Sequence, residues 1–164
     1  MRGTEKGARA SILKRPQPDA DCKSAYIVRV RFCDTDLMGI VHHAKYLEYF
    51  EAGRVEYMHR RGIGYLDCVN RGIHLPVVET SAKYRRTVRF DERIVVETTL
   101  TELGRVIVRF TYRLLRDDPS SELVVEGTTL LACVGNEHTP RRIPDDIAAM
   151  LCGKETHPRA IDLA

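Results

Sequence analysis

The sequence predicts an α+β domain in which an antiparallel β-sheet wraps around one long central α-helix. A single long segment, residues 43–61, has helical periodicity, whereas the segments around it alternate apolar and polar residues as strands do. Short turn sequences separate the strands that follow the helix, which favours consecutive antiparallel hairpins. Since the apolar face of a sheet must be covered, we expect the helix to lie against it.

The domain limits follow from composition. We expect one folded domain over residues 26–148, a flexible leader over 1–25 that is poor in apolar residues, and a C-terminal tail over 149–164. Six of the 26 Lys and Arg residues and three of the 23 Asp and Glu residues lie in the leader, which leaves 20 of each sign in residues 26–164. Because the fold lacks the basic excess typical of nucleic-acid-binding proteins, we expect no nucleic acid partner.

The sequence predicts no membrane span and no secretory signal. No stretch approaches the ~18 apolar residues of a membrane span, and no apolar core follows the charged N-terminus. The five cysteines are odd in number and form no C-x-x-C pair, so we interpret them as reduced thiols. These features predict a cytoplasmic protein without stable membrane insertion.

The helix over residues 43–61 is predicted from a stripe at i, i+4, i+7 and i+11, formed by Tyr46, Phe50, Gly53 and Tyr57. Gly62 is typical of a helix end. Arg54 falls close to the apolar stripe, where an unpaired charge is costly, so we expect a carboxylate or carbonyl partner for it.

The strands are predicted in residues 26–32, 74–90, 93–103, 106–116 and 122–134. Pro76 stands near the start of the second strand, which therefore begins after it or lies at a sheet edge. The fourth strand alternates from Val106 onward, with Val106 among its inward-facing residues. The fifth is apolar on both faces, as an interior strand is. A short helix is predicted after Pro144.

The segment C-D-T-D-L-M-G-I-V-H-H-A-K-Y, residues 33–46, stands out for its chemistry. Asp34 and Asp36 are two residues apart just before the helix, and the amides around His42 and His43 lie where the helix begins. Free N–H groups at a helix start can hold an oxyanion, and a carboxylate facing them is a hydrolytic arrangement. Local capping by the aspartates is the alternative interpretation.

Common nucleotide-binding, serine hydrolase and zinc protease motifs are absent from the sequence. Adjacent histidines do not share a helix face, and no third ligand is placed near them, so His42 and His43 do not predict a metal site. We therefore expect neither a metal nor another cofactor.

These residues resemble the start of the hot-dog-fold acyl-CoA thioesterases of the 4-hydroxybenzoyl-CoA thioesterase type, and more closely the branch associated with the Tol–Pal system. The family pattern D-x-D-x-x-G-x-V, followed by a helix with Y…Y-x-E/D-x-x-R, is matched here by Asp34, Asp36, Gly39, Val41, His43, Tyr46, Phe50, Glu51 and Arg54. The resemblance covers roughly residues 26–148 and implies a hot-dog fold and a thioester hydrolase.

The resemblance also implies roles for individual residues. Asp36 corresponds to the catalytic carboxylate, acting as nucleophile or as general base on water, and the backbone N–H of His43 corresponds to the oxyanion donor. The imidazole of His43 is expected either to line the pocket or to make a simple polar contact. Asp34 is expected to cap or buttress. The predicted substrate-binding residues are Gly39, Val41, His42, Tyr46, Val78 and Arg105.

Recognition of the thiol carrier is less specific in the sequence. Only Arg105 matches the basic run that meets the nucleotide phosphates in the hydroxybenzoyl branch; Lys83, Arg85 and Arg86 are the alternative source of charge. The carrier is therefore either CoA or an acyl carrier protein. We expect a homodimer or homotetramer, with Val77 and Val78 of a neighbouring subunit meeting the acyl group.

Two other functions stay open at this point. One is a non-catalytic acyl-CoA-binding or scaffold module on the same fold. The other is a hot-dog dehydratase or hydratase, which needs a different acid/base pair on the central helix; the sequence offers no convincing match for it.

Overall fold

A computed structural model describes residues 15–156. Its five antiparallel strands form one sheet in the order β1–β3–β4–β5–β2. The strands are β1 (Lys23–Arg29), β2 (Val77–Tyr84), β3 (Arg93–Leu103), β4 (Ile107–Arg116) and β5 (Leu123–Ala132). The helices are α1 (Lys45–Arg60), α2 (Tyr65–Asn70) and α3 (Asp145–Leu151), and a 3-10 helix spans Phe32–Asp34. The predicted α+β class, with a sheet wrapped around one long helix, is confirmed.

The core lies between α1 and the concave face of the sheet. The stripe predicted for the helix is buried in full, and the matching face of β3 is buried as well, through Ile94, Val96, Thr98 and Leu100. The rings of Phe50 and Tyr112 stack with their centroids 4.4 Å apart. Periodicity therefore identified the buried faces of both partners.

The helix approaches β3 closely at Gly53. A β-carbon at this position would lie 2.6 Å from Thr98 Oγ1 and 2.7 Å from Val96 Cγ1, well inside contact distance. Only a residue without a side chain allows this approach. Gly53 therefore fixes how deeply α1 sits against the sheet.

Strand β1 differs from the predicted strand over 26–32. It begins at Lys23 and ends at Arg29, because the chain turns into the 3-10 helix, where the Phe32 side chain is 78% exposed instead of facing the core. Cys22 is fully buried. The predicted leader is thus too long at its C-terminal end, and its residues 1–14 lie outside the described residues.

The C-terminal boundary also shifts. Helix α3, predicted as a short helix after Pro144, extends to Leu151, which is fully buried and accepts a 2.7 Å hydrogen bond from Tyr57 Oη on its carbonyl oxygen. The domain therefore continues past residue 148. Residues 157–164 of the predicted tail lie outside the described residues.

Two smaller expectations are wrong. Arg54 is 8% exposed, and its hydrogen-bond partner is the hydroxyl of Tyr112 at 3.4 Å; within residues 15–156 no carboxylate lies within ion-pair distance of it. Val106 precedes β4 and is 36% exposed. Helix α2, between α1 and β2, was not predicted. By contrast, β2 begins directly after Pro76 and lies at a sheet edge, as predicted.

No helix in the part of the chain that the structure describes is both long enough and apolar enough to cross a membrane.

We predict that Gly53→Ala lowers the free energy of unfolding by about 1–3 kcal/mol, because the added methyl overlaps Thr98 and Val96. Alanine favours a helix by ~1 kcal/mol over glycine, so the overlap must outweigh that gain. Urea denaturation measures the change. Gly135→Ala, whose β-carbon would come no closer than 4.0 Å to another atom, is the control. Equal stability of both variants would contradict the close approach.

Candidate active site

The loop between the 3-10 helix and α1 folds into a tight turn around Asp36. The Gly39 N–H donates to the Asp36 carbonyl at 2.9 Å, and the Asp36 N–H donates to the Ile40 carbonyl at 2.9 Å. Gly39 adopts φ = +71°, a conformation that glycine allows without strain. Asp36 Oδ1 accepts the Met38 N–H at 2.8 Å. The turn therefore fixes the orientation of the Asp36 carboxylate.

Asp36 opens onto a cavity of about 230 Å³, which we call the site cavity. Of the residues predicted for the site, four line it: Asp36, Val41, His43 and Tyr46. Arg86, named in the sequence analysis as an alternative source of charge, also lines it, and four residues that were not predicted complete the wall: Met38, Ile40, Tyr84 and Thr87. The cavity thus places one carboxylate among mostly apolar and aromatic side chains.

The amides at the start of α1 are not equivalent. The His42 N–H donates to the Asp34 carbonyl at 2.9 Å, and the Ala44 N–H lies 3.3 Å from His42 Nδ1. The His43 N–H has no acceptor among residues 15–156. Only this amide of the three is therefore available to a ligand, at the residue that also lines the site cavity.

Asp34 is completely buried and lies behind the loop, outside the site cavity. Its Oδ2 accepts hydrogen bonds from the Arg31 N–H (3.0 Å), Arg31 Nε (3.1 Å) and Tyr49 Oη (2.9 Å), and its Oδ1 accepts one from Arg31 Nη2 (2.8 Å). Burial by itself raises the pKa of this carboxyl, but these hydrogen bonds outweigh it and hold the pKa of Asp34 below its usual range. The geometry fits the predicted buttressing role.

An aromatic group forms one side of the cavity. The Tyr84 hydroxyl donates to the His43 carbonyl at 3.2 Å, and the Tyr84 ring lies 5.6 Å from the Tyr46 ring and 6.5 Å from the His43 ring. Burial raises the pKa of Tyr46 to about 12, so its hydroxyl stays protonated at neutral pH. The group connects the edge strand β2 to the start of α1.

The other predicted binding residues lie elsewhere within this chain. The His42 ring lies 4.2 Å from the His43 ring at an interplanar angle of 36°, and His42 does not line the cavity. Arg105 is exposed in the turn between β3 and β4, and Val78 is 58% exposed on β2. Neither lines the site cavity. Contact of Val78 with an acyl group in a neighbouring subunit stays a prediction.

Arg86, one of the alternative basic residues in the sequence, lines the cavity, whereas Arg105 does not. Arg86 Nε donates to Glu122 Oε1 at 2.7 Å, so its charge is already paired. The basic run at the end of β2 was the signal for it in the sequence. Within residues 15–156, no group of three His, Cys, Asp or Glu side chains could hold a metal ion.

Comparison with known proteins identifies the family. Residues 30–151 match the model of the thioesterase-like superfamily, and the chain belongs to it. Over 110 residues the chain is 32% identical to the putative acyl-CoA thioesterase YneP of Bacillus subtilis, covering 67% of this chain and 78% of that one. Over 127 residues it is 30% identical to the acyl-CoA thioesterase YbgC of Haemophilus influenzae, covering 76% and 91%.

Solved structures agree with this family. A hypothetical protein from Thermus thermophilus is 38% identical, with a TM-score of 0.73 over 79% of this chain and 95% of that one. A 4-hydroxybenzoyl-CoA thioesterase variant in complex with 4-hydroxybenzoyl-CoA has a TM-score of 0.73 at 23% identity, covering 80% and 99%, and supports the fold alone. The sequence-based prediction of a hot-dog thioesterase is thereby confirmed.

The Asp34 network predicts a stability change that depends on pH. At pH 7, Asp34→Asn should lower the free energy of unfolding by about 1–3 kcal/mol, because Tyr49 and Arg31 lose a charged acceptor, while the Arg31 side chain is 63% exposed and stays hydrated. The folded-state pKa of Asp34 is depressed, so its contribution is present above the unfolded pKa of ~3.9 and is lost as the pH falls through the folded pKa.

Chemical denaturation of wild type and variant between pH 7 and pH 2 measures this. The difference between them should shrink at the acid end. Asp118→Asn, in an exposed turn where Asp118 accepts bonds from Ser120, is the control and should change stability little. A difference of constant size across the pH range would contradict the assignment.

Proposed function

We propose that this protein hydrolyses acyl-CoA thioesters to a free acid and a thiol, with Asp36 as the reacting carboxylate and the His43 N–H as the oxyanion donor. One observation carries the proposal. Asp36 and His43 line the same cavity of about 230 Å³, and the His43 N–H has no acceptor within residues 15–156. The names of the relatives, acyl-CoA thioesterases, support the same chemistry.

The reaction needs only these two groups. The thioester carbonyl oxygen accepts the His43 N–H, which stabilises the negative charge that develops there. Asp36 then either attacks the carbonyl carbon, giving a mixed anhydride that water hydrolyses, or takes a proton from a water molecule that attacks directly. In both routes the tetrahedral intermediate collapses by breaking the C–S bond. A thiolate is a weakly basic leaving group, so it departs without a strong acid.

The cavity wall suggests where the acyl group lies. Met38, Ile40 and Val41 contribute apolar surface to the cavity, and the rings of Tyr46 and Tyr84, 5.6 Å apart, contribute aromatic surface. We propose that this wall receives the acyl group and that the thiol carrier leaves past Arg86. CoA is the carrier we favour, with an acyl carrier protein as the alternative.

We predict that Asp36→Asn lowers kcat for acyl-CoA hydrolysis by at least 100-fold, because the amide neither attacks nor accepts the proton of water. Thiol release over a panel of short, long and aromatic acyl-CoAs measures it. Asp145→Asn, an exposed aspartate paired with Arg142, is the matched control and should retain full activity.

Two outcomes would contradict the mechanism or the function. Equal turnover in Asp36→Asn would remove Asp36 from the mechanism. Micromolar acyl-CoA binding by the wild type without any hydrolysis would replace the enzyme with a binding module. Hydration of crotonyl-CoA would favour the hydratase instead.

We further propose a homodimer that assembles through α1 and the edge strand β2. Val77 and Val78 leave an apolar surface exposed on β2. Arg54 is buried on α1 without a carboxylate partner, whereas Glu51, one turn earlier, is exposed and has no ion pair within residues 15–156. A two-fold dimer that brings Glu51 of one copy to Arg54 of the other pairs these charges twice, because symmetry repeats each contact.

Charge reversal tests this arrangement. Glu51→Arg should weaken the dimer by at least 10-fold in Kd, because it sets two cations against each other at the interface. Combining it with Arg54→Glu should restore association by exchanging the signs. Sedimentation equilibrium measures both, and Glu137→Arg, an exposed glutamate elsewhere, is the control. Unchanged association in Glu51→Arg would contradict the proposed interface.

The compartment and the branch of the family stay as proposals. The five cysteines, all within residues 15–156, are free thiols, which fits the reducing cytoplasm. The association with the Tol–Pal branch rests on the motif resemblance and stays a prediction.

A further inference from the structure

We propose that Asp34 is the positioning residue for the oxyanion-binding amide of His43, acting through its main-chain carbonyl and the loop it anchors. The inference rests on the proposed function, because it gives the His43 N–H a catalytic role. Asp34 does not line the site cavity, so it cannot itself touch the substrate. Its contacts nevertheless fix the segment that carries both the Asp36 carboxylate and the His43 N–H.

The side chain of Asp34 is the fixed point. Two of its partners lie on different parts of the chain: Arg31 precedes the 3-10 helix, and Tyr49 belongs to the first turns of α1. The Tyr49 hydroxyl is held at 2.9 Å from Asp34 Oδ2 in a fully buried setting. A charged acceptor makes these hydrogen bonds shorter and stronger than neutral ones. The loop is therefore attached to the helix through a charge.

The main chain of Asp34 connects the anchored loop to the start of α1. Its carbonyl accepts the His42 N–H at 2.9 Å, which fixes the residue immediately before His43 and removes the His42 N–H from competition for a ligand. The Ala44 N–H is occupied by His42 Nδ1 at 3.3 Å. The same two contacts that hold His42 thus leave the His43 N–H as the single free donor of the three.

Asp34 also begins the hairpin-like segment that carries Asp36. Thr35 and Val41 form an isolated antiparallel bridge, and the Val41 N–H donates to the Val88 carbonyl at 2.8 Å. Asp34 lies at one end of this segment and His42 at the other, joined by their 2.9 Å hydrogen bond. One buried carboxylate therefore sets the separation between the Asp36 carboxylate and the His43 amide.

The expected loss of kcat in Asp34→Asn follows from how precisely the reacting groups of an active site must be positioned. A reacting constellation must hold to within about 0.5 Å, and removing an oxyanion donor costs ~10²–10³ in kcat. Displacing the donor costs less than removing it. We therefore expect Asp34→Asn to lower kcat by about 10–100-fold while KM changes less than about 3-fold. Tyr49→Phe, which removes one of the five hydrogen bonds to the Asp34 carboxylate, should have the same pattern at smaller size.

Two CoA ligands separate positioning from simple structural damage. A trifluoromethyl ketone analogue of the acyl-CoA is hydrated in water to a tetrahedral gem-diol that mimics the intermediate and has an oxygen to accept the His43 N–H, whereas a thioether analogue has no carbonyl oxygen. Calorimetry should show that Asp34→Asn weakens binding of the ketone by at least 10-fold and leaves that of the thioether within about 3-fold. The measurements use a temperature at which circular dichroism shows the variant folded. Asp118→Asn should leave both affinities and the ¹H–¹⁵N shift of the His43 amide unchanged, whereas Asp34→Asn should move that shift.

Three results would overturn the inference. The first is unchanged kcat in folded Asp34→Asn, and the second is equal weakening of both ligands, which indicates general collapse of the cavity. The third is a wild type that binds the thioether as tightly as the ketone. That result removes the oxyanion site itself, so it overturns the proposed function together with this inference, whereas the first two leave the function in place.

Discussion

The close approach of α1 to strand β3 at Gly53 is the constraint on which the remaining geometry depends. With β-carbon contacts of 2.6 and 2.7 Å, any side chain at this position would lift the helix from the sheet. The helix is rigid along its length, so its depth at Gly53 also sets where its N-terminus stands relative to the sheet. The loop with Asp36 and the His43 amide are placed by that depth, and interior packing of this density leaves little freedom to adjust it.

The two aspartates of the D-x-D motif have the same side chain but different surroundings, and the surroundings determine what each can do. Asp34 is enclosed and its carboxylate accepts five hydrogen bonds, which suits a residue that holds other groups in place. Asp36 has one hydrogen bond from its own turn and faces a cavity. Identical side chains two residues apart therefore differ in what they can react with, because only one of them is accessible to a ligand.

The sequence predicted those parts of the molecule that follow from local periodicity. Helix α1 and strands β3 to β5 each bury one face, so their apolar residues recur with the period of the element and could be predicted. The burial of Ile94, Val96 and Leu100 confirms the predicted inward face of β3. The start of β1 was not predicted, because β1 is an edge strand that begins with polar residues. Phe32 was assigned to the strand because it continues the apolar alternation, but it lies exposed in the 3-10 helix. Edge positions satisfy fewer constraints, so their sequence carries less information.

The residues of the candidate site also differ in how far the sequence could predict them. Asp36, Gly39 and His43 lie within one short segment, so a motif could bring them together. Tyr84 and Arg86 reach the cavity from the end of β2, which only the tertiary pairing of β2 with β5 places there. Arg105 was assigned by family resemblance to a nucleotide contact, and its turn lies apart from the cavity that Arg86 lines.

This two-part construction bears on how such enzymes diverge. One part of the cavity wall is the loop that carries Asp36, and a second part comes from Tyr84, Arg86 and Thr87 on a separate stretch of chain. Mutations in the second part can reshape the acyl compartment without disturbing the buried charge behind the first. Related proteins can therefore acquire different acyl preferences through few substitutions in the second part of the wall while keeping the same loop around Asp36.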